Sequence, residues 1–377
     1  MNIGILCHPT YGGSGVVATE LGMFLAAKGY KVHFITYAQP VRLDILAENI
    51  YYHEVQVHEY PLFEFPPYEL ALASKVVQTA LKWKLDVIHA HYAIPHAYAA
   101  ISASRILREQ GVKLPVITTL HGTDITVVGR NPAYKPAVTY SINHSDIVTA
   151  VSQSLKKDSY DNFDITKEIV VVPNFVDLKA FEKEIPCIKR QFAPEGQNII
   201  THISNMRPVK RLHDVIRTFG LIRQSLPARL LMVGDGPEKE PARQLAREIG
   251  VIDDVIFVGN AVDIYRVLKC SDLLLLPSEK ESFGLVALEA MAAGIPVIST
   301  NTGGLPEVNL NGITGFTANV GNVEDMAHYA LKLLNDKSLY SRFSLNAIQN
   351  ARKFSIEKIA PIYIALYEEA VGSLIKK

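Results

Sequence analysis

Asn2-Ile3-Gly4-Ile5-Leu6-Cys7, followed by His8-Pro9-Thr10-Tyr11-Gly12-Gly13-Ser14-Gly15 and then Val16-Val17-Ala18, decides the fold. The first six residues are a run of strand length, the next eight a glycine-rich turn, and the apolar residues beyond open a helix. A buried strand that turns tightly into a helix is the repeating unit of a doubly wound α/β domain. The unit recurs along the chain. Lys31–Thr36, Asp86–His89, Val116–Leu120, Ile147–Ala150 and Ile169–Val172 read as further buried parallel strands, separated by segments of helical period. After Pro173 the pattern loosens, then restarts with Asn198–Ser204, Arg229–Val233, Val255–Val258, Leu273–Leu276 and Pro296–Ser299. The expected class is α/β with two Rossmann-like doubly wound domains, residues 1–180 plus 356–377 and residues 181–355. A linker is expected near residues 178–196, and the last helix, Ile356 to Ile375, is expected to cross back to the N-terminal domain. Two such domains would turn their strand C-terminal ends to a common cleft.

Composition narrows the function classes. Among 377 residues, Lys plus Arg and Asp plus Glu both total 38, so bulk charge does not point to nucleic acid. No apolar run approaches the ~20 residues that cross a bilayer, and the N-terminus has no basic segment before its first strand. A soluble, cytoplasmic protein without a membrane partner is expected. Cys7, Cys187 and Cys270 are scattered, with no metal spacing, and read as buried small hydrophobes in a reducing compartment. A homodimer would need an exposed apolar patch, which the sequence does not locate.

The strongest local signal is Glu281-Ser282-Phe283-Gly284-Leu285-Val286-Ala287-Leu288-Glu289. A helix opening at Ser282 would present unpaired N–H groups and partial positive charge to a diphosphate. Glu281 would lie just outside that end and Glu289 two turns in, about 12 Å apart along the axis. One reaches a hexose, the other a ribose. An amphipathic helix bounded by two glutamates is the plain alternative, and the neighbouring elements weigh against it. Arg207 and Lys210, three apart after the first strand of the second domain, can converge on phosphate oxygens and stabilise a departing nucleoside diphosphate. No Asp-x-Asp occurs, so a divalent cation bridge is not signalled. Gly234-Asp235-Gly236-Pro237 and Val258-Gly259-Asn260 follow later strands, and their exposed backbone could read a base edge or be ordinary loop geometry.

In the first domain, Gly13 permits close backbone approach to a donor and Ser14 adds a hydroxyl at the helix start. Gly13-Ser14-Gly15-Val16-Val17-Ala18 also fits a loose dinucleotide pattern, but the second strand ends in Thr36-Tyr37-Ala38 without the ribose-binding acid. His121, in Leu120-His121-Gly122-Thr123-Asp124, would turn its ring or carbonyl toward a reacting sugar. His89, His91 and His96 raise a metal site, which lacks a convincing third ligand; His91 and Tyr92 read better as strand-end groups near an acceptor.

These motifs together resemble the retaining GT-B glycosyltransferases of the large family sometimes called group 4. The likeness covers nearly the whole chain and extends to Ala293-Gly294-Ile295-Pro296-Val297 and Thr302-Gly303-Gly304-Leu305-Pro306-Glu307. No cofactor and no metal are expected, and the likeness implies Arg207 and Lys210 on the diphosphate, amides from Ser282, Phe283, Gly284 and Leu285, Glu289 on the ribose and Glu281 on the donor sugar. Within the family, residues 9–22, His121 to Thr126, Phe65-Pro66-Pro67-Tyr68 and Ala71-Leu72-Ala73-Ser74-Lys75 look like the members that join N-acetylglucosamine from UDP-N-acetylglucosamine to L-malate at the first step of bacillithiol synthesis. That likeness implies acceptor contacts from Ser14, Tyr92, Thr119 and Asn143. No first-domain motif offers a carboxylate nucleophile for double displacement, so front-face retention is the expected chemistry. A related transferase with another small acceptor, a UDP-sugar 2-epimerase and a non-catalytic sugar-nucleotide sensor are the rival readings.

Overall fold

In a computed structural model of the protein, residues 1–10, 12–58, 61–182, 189–260 and 264–375 are described. The chain divides into two compact units, Met1–Asn174 with Ile356–Lys377, and Phe175–Ser355. Tyr11 and Cys187, both singled out in the sequence, lie outside the described residues.

Unit 1 carries strands β1 (Asn2–Leu6), β2 (Lys31–Thr36), β3 (Ile50–Glu54), β4 (Val87–His91), β5 (Val116–Leu120), β6 (Ile147–Ala150) and β7 (Ile169–Val171). Its helices are α1 (Gly13–Ala27), α2 (Tyr68–Trp83), α3 (Tyr98–Glu109), α4 (Thr123–Thr126), α5 (Lys135–His144) and α6 (Gln153–Asn162). Unit 2 begins with the short α7 (Lys179–Glu182) and α8 (Lys189–Phe192) and continues through β8 (Asn198–Ile203), α9 (Leu212–Ser225), β9 (Ala228–Val233), α10 (Lys239–Glu248) and β10 (Val255–Gly259). There follow α11 (Ile264–Lys269), β11 (Leu273–Leu276), α12 (Leu285–Ala292), β12 (Val297–Thr300), α13 (Leu305–Val308), β13 (Gly315–Ala318), α14 (Val323–Asn335) and α15 (Lys337–Ala351). The last helix, α16 (Ile356–Ile375), belongs to unit 1, where Tyr367 on it meets His89 of β4 at 2.8 Å.

Both sheets are parallel: seven strands in the order β3-β2-β1-β4-β5-β6-β7, and six in the order β10-β9-β8-β11-β12-β13. Each order reverses once, between β1 and β4 and between β8 and β11. At such a reversal the flanking connections leave the sheet in opposite directions and open a crevice at the strand C-terminal ends. The central strands carry long buried apolar runs because helices cover both faces: Ile3, Ile5, Val32, Phe34, Leu273, Leu274 and Leu275 are all fully buried. Each such side chain contributes roughly 1.5–3 kcal/mol by leaving water. No helix among the described residues is long and apolar enough to cross a membrane.

Two strands escape the sequence reading, and both are sheet edges. β3 (Ile-Tyr-Tyr-His-Glu) has only its first residue buried, and β13 is four residues long with a half-buried centre. An edge strand has one neighbour and partial cover, so it lacks the continuous apolar run that marks a central strand.

Candidate functional site

In unit 2 the reversal lies between β8 and β11, and it gathers the predicted anion-binding residues. After β8 the chain makes a single 3₁₀ turn, Pro208–Lys210, before α9 begins at Leu212. The turn is fixed from beneath by His202. Its Nδ1 lies 2.9 Å from the Leu275 carbonyl, which only accepts, so Nδ1 carries the proton and Nε2 accepts from the Ser204 hydroxyl at 2.8 Å. Ser204 Oγ in turn accepts the Met206 N–H at 3.2 Å, one residue before Arg207. Burial lowers the His202 pKa to about 4, keeping the ring neutral in this relay. The loop after β11 is tied to the same turn, since the Glu279 N–H donates to the Val209 carbonyl at 2.8 Å. Lys210 and Glu281 thereby meet: Nζ to Oε2 is 2.5 Å, with only 19% and 21% of the two side chains exposed. Arg207, beside them in sequence, is exposed.

The helix of the two glutamates opens later than the sequence suggests. Ser282 and Phe283 form a bend, Gly284 caps the helix in the left-handed region at φ 92°, and α12 begins at Leu285. The cause is Phe283, which is buried against Phe354 and pulls the chain inward before the helix can start. The first unpaired N–H groups are therefore those of Leu285 and its successors, while Ser282 stands in the loop. Glu289 is correspondingly in the second turn, and it is buried at 5% exposure.

Thr302-Gly303-Gly304, quoted in the sequence only as an extension of the motif, positions Glu281. The Gly304 N–H donates to the Glu281 carbonyl at 2.8 Å, and a Cβ on Gly303, at φ 59°, would overlap that same carbonyl. Gly303→Ala is therefore expected to displace Glu281. Thermal unfolding should show a loss of about 1–3 kcal/mol, and turnover should fall further than stability. The Gly234-Asp235-Gly236 turn has a similar internal reason, because Cβ atoms at its glycines would overlap the backbone of Ser204, Asn205 and Met206. Those glycines serve close packing on the turn that carries Arg207. Asn260, at the end of β10, is exposed.

In unit 1 the reversal lies between β1 and β4. Ser14 sits in the first turn of α1, and its hydroxyl donates to the Tyr92 phenol at 3.3 Å. Gly15 has no room for a side chain, since its Cβ would overlap the His8 carbonyl; its small size serves the loop itself. Tyr92 follows β4 with φ 92°, a conformation that costs a non-glycine residue of order 1–3 kcal/mol and recurs at functional positions. Its ring lies edge-on to His8, with centroids 5.2 Å apart, and 5.4 Å from the His121 ring. His121 Nε2 is 2.9 Å from His91 Nδ1, and burial brings the His121 pKa down to about 3, so it stands as a neutral imidazole. Asp124 binds this corner together, accepting the N–H groups of Ala93 at 3.0 Å and Gly122 at 2.9 Å.

Two predicted acceptor residues carry structural hydrogen bonds. Thr119 is fully buried on β5, its Oγ1 2.7 Å from both His89 Nε2 and Thr149 Oγ1. It supports the layer beneath Tyr92. Asn143 on α5 spends its side chain on the Asp164 carbonyl and the Thr166 N–H, both at 2.9 Å, fastening the connection to β7. The structure groups Ser14, Tyr92 and His121, and leaves Asn143 with that connection. No group of three metal-ligating side chains occurs among the described residues.

Comparison with known proteins gives the same two halves. Residues 186–353 match the family described as glycosyl transferases group 1, and residues 11–180 match Glycosyltransferase Family 4. The N-acetyl-alpha-D-glucosaminyl L-malate synthase of Bacillus anthracis is 44% identical over 374 residues, covering 98% of this chain and 97% of that protein. The D-inositol 3-phosphate glycosyltransferase of Corynebacterium glutamicum is 25% identical over 76% of this chain and 73% of its own. Among solved structures, HepE of Anabaena in complex with UDP and glucose superposes with TM-score 0.82 at 22% identity, over 97% of this chain and 99% of that one. Sucrose-phosphate synthase of Thermosynechococcus elongatus superposes with TM-score 0.81 over 99% and 100%.

Proposed function

The chain belongs to the group 1 glycosyltransferases of GT-B fold, and from that membership we propose that it transfers N-acetylglucosamine from UDP-N-acetylglucosamine to the hydroxyl of L-malate, in the cytoplasm and without a metal ion. The observation that carries this reading is the 44% identity to the N-acetyl-alpha-D-glucosaminyl L-malate synthase along almost the full length of both chains. Unit 2 supplies the donor groups. The α12 amides, Arg207 and Lys210 take the diphosphate, Glu289 the ribose and Glu281 the sugar. Unit 1 supplies Ser14, Tyr92 and His121 to the acceptor side.

In this reaction the malate hydroxyl oxygen bonds to the anomeric carbon on the face from which the phosphate departs, so the α configuration is kept. The bond from that carbon to the phosphate oxygen breaks, and the phosphate oxygen takes the hydroxyl proton. Charge builds on the diphosphate as this happens. Fixed cations and helix N–H groups act there because they need no reorganisation during the step.

The test measures UDP release from UDP-N-acetylglucosamine with and without L-malate in EDTA, with mass and anomeric analysis of the product. Malate-dependent release with an α-glucosaminyl malate product is expected. Turnover only with a different acceptor would overturn the substrate assignment, a β product the front-face chemistry, and turnover restored only by added metal the metal independence.

A further inference from the structure

The acceptor side of unit 1 has an electrostatic deficit. Malate carries two carboxylates, yet the three loops at these strand ends, residues 8–14, 91–97 and 121–126, contain no lysine or arginine. Their ionisable residues are His8, Tyr11, His91, Tyr92, His96 and His121, with Asp124 the single acid. Asp124 is already committed to the backbone N–H groups of Ala93, Gly122 and His121. A dianion placed beside uncharged rings and a buried carboxylate would be poorly balanced, and an unpaired charge withdrawn from water is costly.

His8 and His96 hold the remaining capacity. The rings meet edge to face, with centroids 4.5 Å apart, and His8 in turn contacts Tyr92. His96 is fully buried, and neither of its ring nitrogens has a partner in hydrogen-bond geometry. A buried imidazole with both nitrogens unspent is rare, because each lost hydrogen bond costs about 1–3 kcal/mol. His91 Nε2, on the same strand end, is also without a partner. Without a ligand, burial keeps both His8 and His96 below the ordinary histidine range, with repulsion from His8 adding to His96, the His91 carbonyl opposing, and His121 adding a smaller repulsion. Among the described residues, the titratable groups acting on the pair are His91 at the end of β4, Tyr92 after it, and His121 after β5, while Asp124 on α4 is spent on backbone N–H groups. Helices α2, α3 and α5 also pack on this turn, and no charged group on them shifts either ring.

We propose that the acceptor brings a proton with it: as a dicarboxylate binds beside Ser14 and Tyr92, the His8–His96 pair takes up one proton from water, and the resulting imidazolium balances one carboxylate. This rests on the malate reading above. It makes His96 a positioning and specificity residue that favours anionic over neutral acceptors.

The sign is fixed by linkage. The free pair is neutral near pH 7 and the occupied pair protonated, so binding tightens as pH falls and malate Kd rises about tenfold per pH unit wherever uptake is complete. The experiment is calorimetric titration of the UDP-bound protein with L-malate at about pH 6.5 and 7.5, in buffers of different ionisation enthalpy, which counts protons directly. Uptake of about one proton per malate is expected, falling to near zero for His96→Asn, which also flattens the pH slope of malate Kd while UDP affinity stays unchanged. Malate binding to the wild type without proton uptake, in the presence of malate-dependent turnover, overturns this inference and leaves the function standing. Absence of malate binding, with turnover of another acceptor, overturns both.

Discussion

Lys210→Ala is expected to lower kcat by about 10³-fold, with kcat/KM for the donor falling further still. Two losses combine. The first is the cation itself, which stabilises the departing diphosphate. The second arises from the 2.5 Å contact between Lys210 Nζ and Glu281 Oε2, because deleting the lysine leaves a partly buried carboxylate unbalanced next to the phosphate site. Like charges at close range oppose binding, so donor affinity suffers beyond the missing attraction. The double variant Lys210→Ala with Glu281→Gln separates the two effects. Removing the unbalanced negative charge should recover about tenfold in donor KM, while kcat stays at the level of the single variant. Steady-state kinetics on the three proteins decide it. A Lys210→Ala enzyme that keeps kcat within about threefold of the parent removes Lys210 from the leaving-group site.

Acidification is expected to unfold unit 1 well before unit 2. His89, His91, His96 and His121 are all buried in unit 1 with pKa values driven down, to about 3 for His89 and His121. The unfolded chain binds these protons near pH 6.5 and the folded unit resists them. The stabilisation from keeping the rings neutral is thus complete above pH 6.5 and is lost as pH falls toward the folded values. At pH 5 the difference is about 1.5 units at about 1.4 kcal/mol each, or roughly 2 kcal/mol for each of His89 and His121, and His91 and His96 act in the same direction. Together these are a large share of the stability of many domains, about 5–15 kcal/mol. Among the described residues of unit 2, His202 is the one histidine held neutral in this way, at about 4. The protein contains one tryptophan, Trp83, and it lies in unit 1 against His33, Tyr51 and His53. A red shift of its emission near pH 5, with roughly half of the far-UV circular dichroism retained, is the expected pattern. Coincident loss of both signals would show that the buried imidazoles do not set the acid stability of unit 1.

The placement of the residues proposed for the donor was legible from local sequence. Arg207, Lys210, Glu281 and Glu289 sit at strand ends and a helix start, and a strand followed by a glycine-bearing turn places such residues without reference to distant chain. The surroundings of the residues proposed for the acceptor were less so. Thr119 meets His89 and Thr149, each 30 residues away, through the registers of β4 with β5 and of β5 with β6, and Asn143 on α5 meets Asp164 and Thr166 where the chain returns after α6. The roles of His202 and Gly303 were hidden for the same reason, since each acts on a backbone group brought near by a parallel strand rather than by the chain itself.

The sequence by itself determined two α/β units, the strand-to-helix turns that bear the polar residues and the central strands, because these depend on periodicity and short-range backbone sterics. Tertiary structure alone decided the strand order and thus where each sheet reverses, the later opening of α12 imposed by the buried Phe283, the pairing of Lys210 with Glu281, and the gathering of His8, His91, His96 and His121 into one buried cluster. Each of these arises from contacts between segments remote in sequence, whose energies are set by burial and by which polar groups are left to satisfy one another once water is gone.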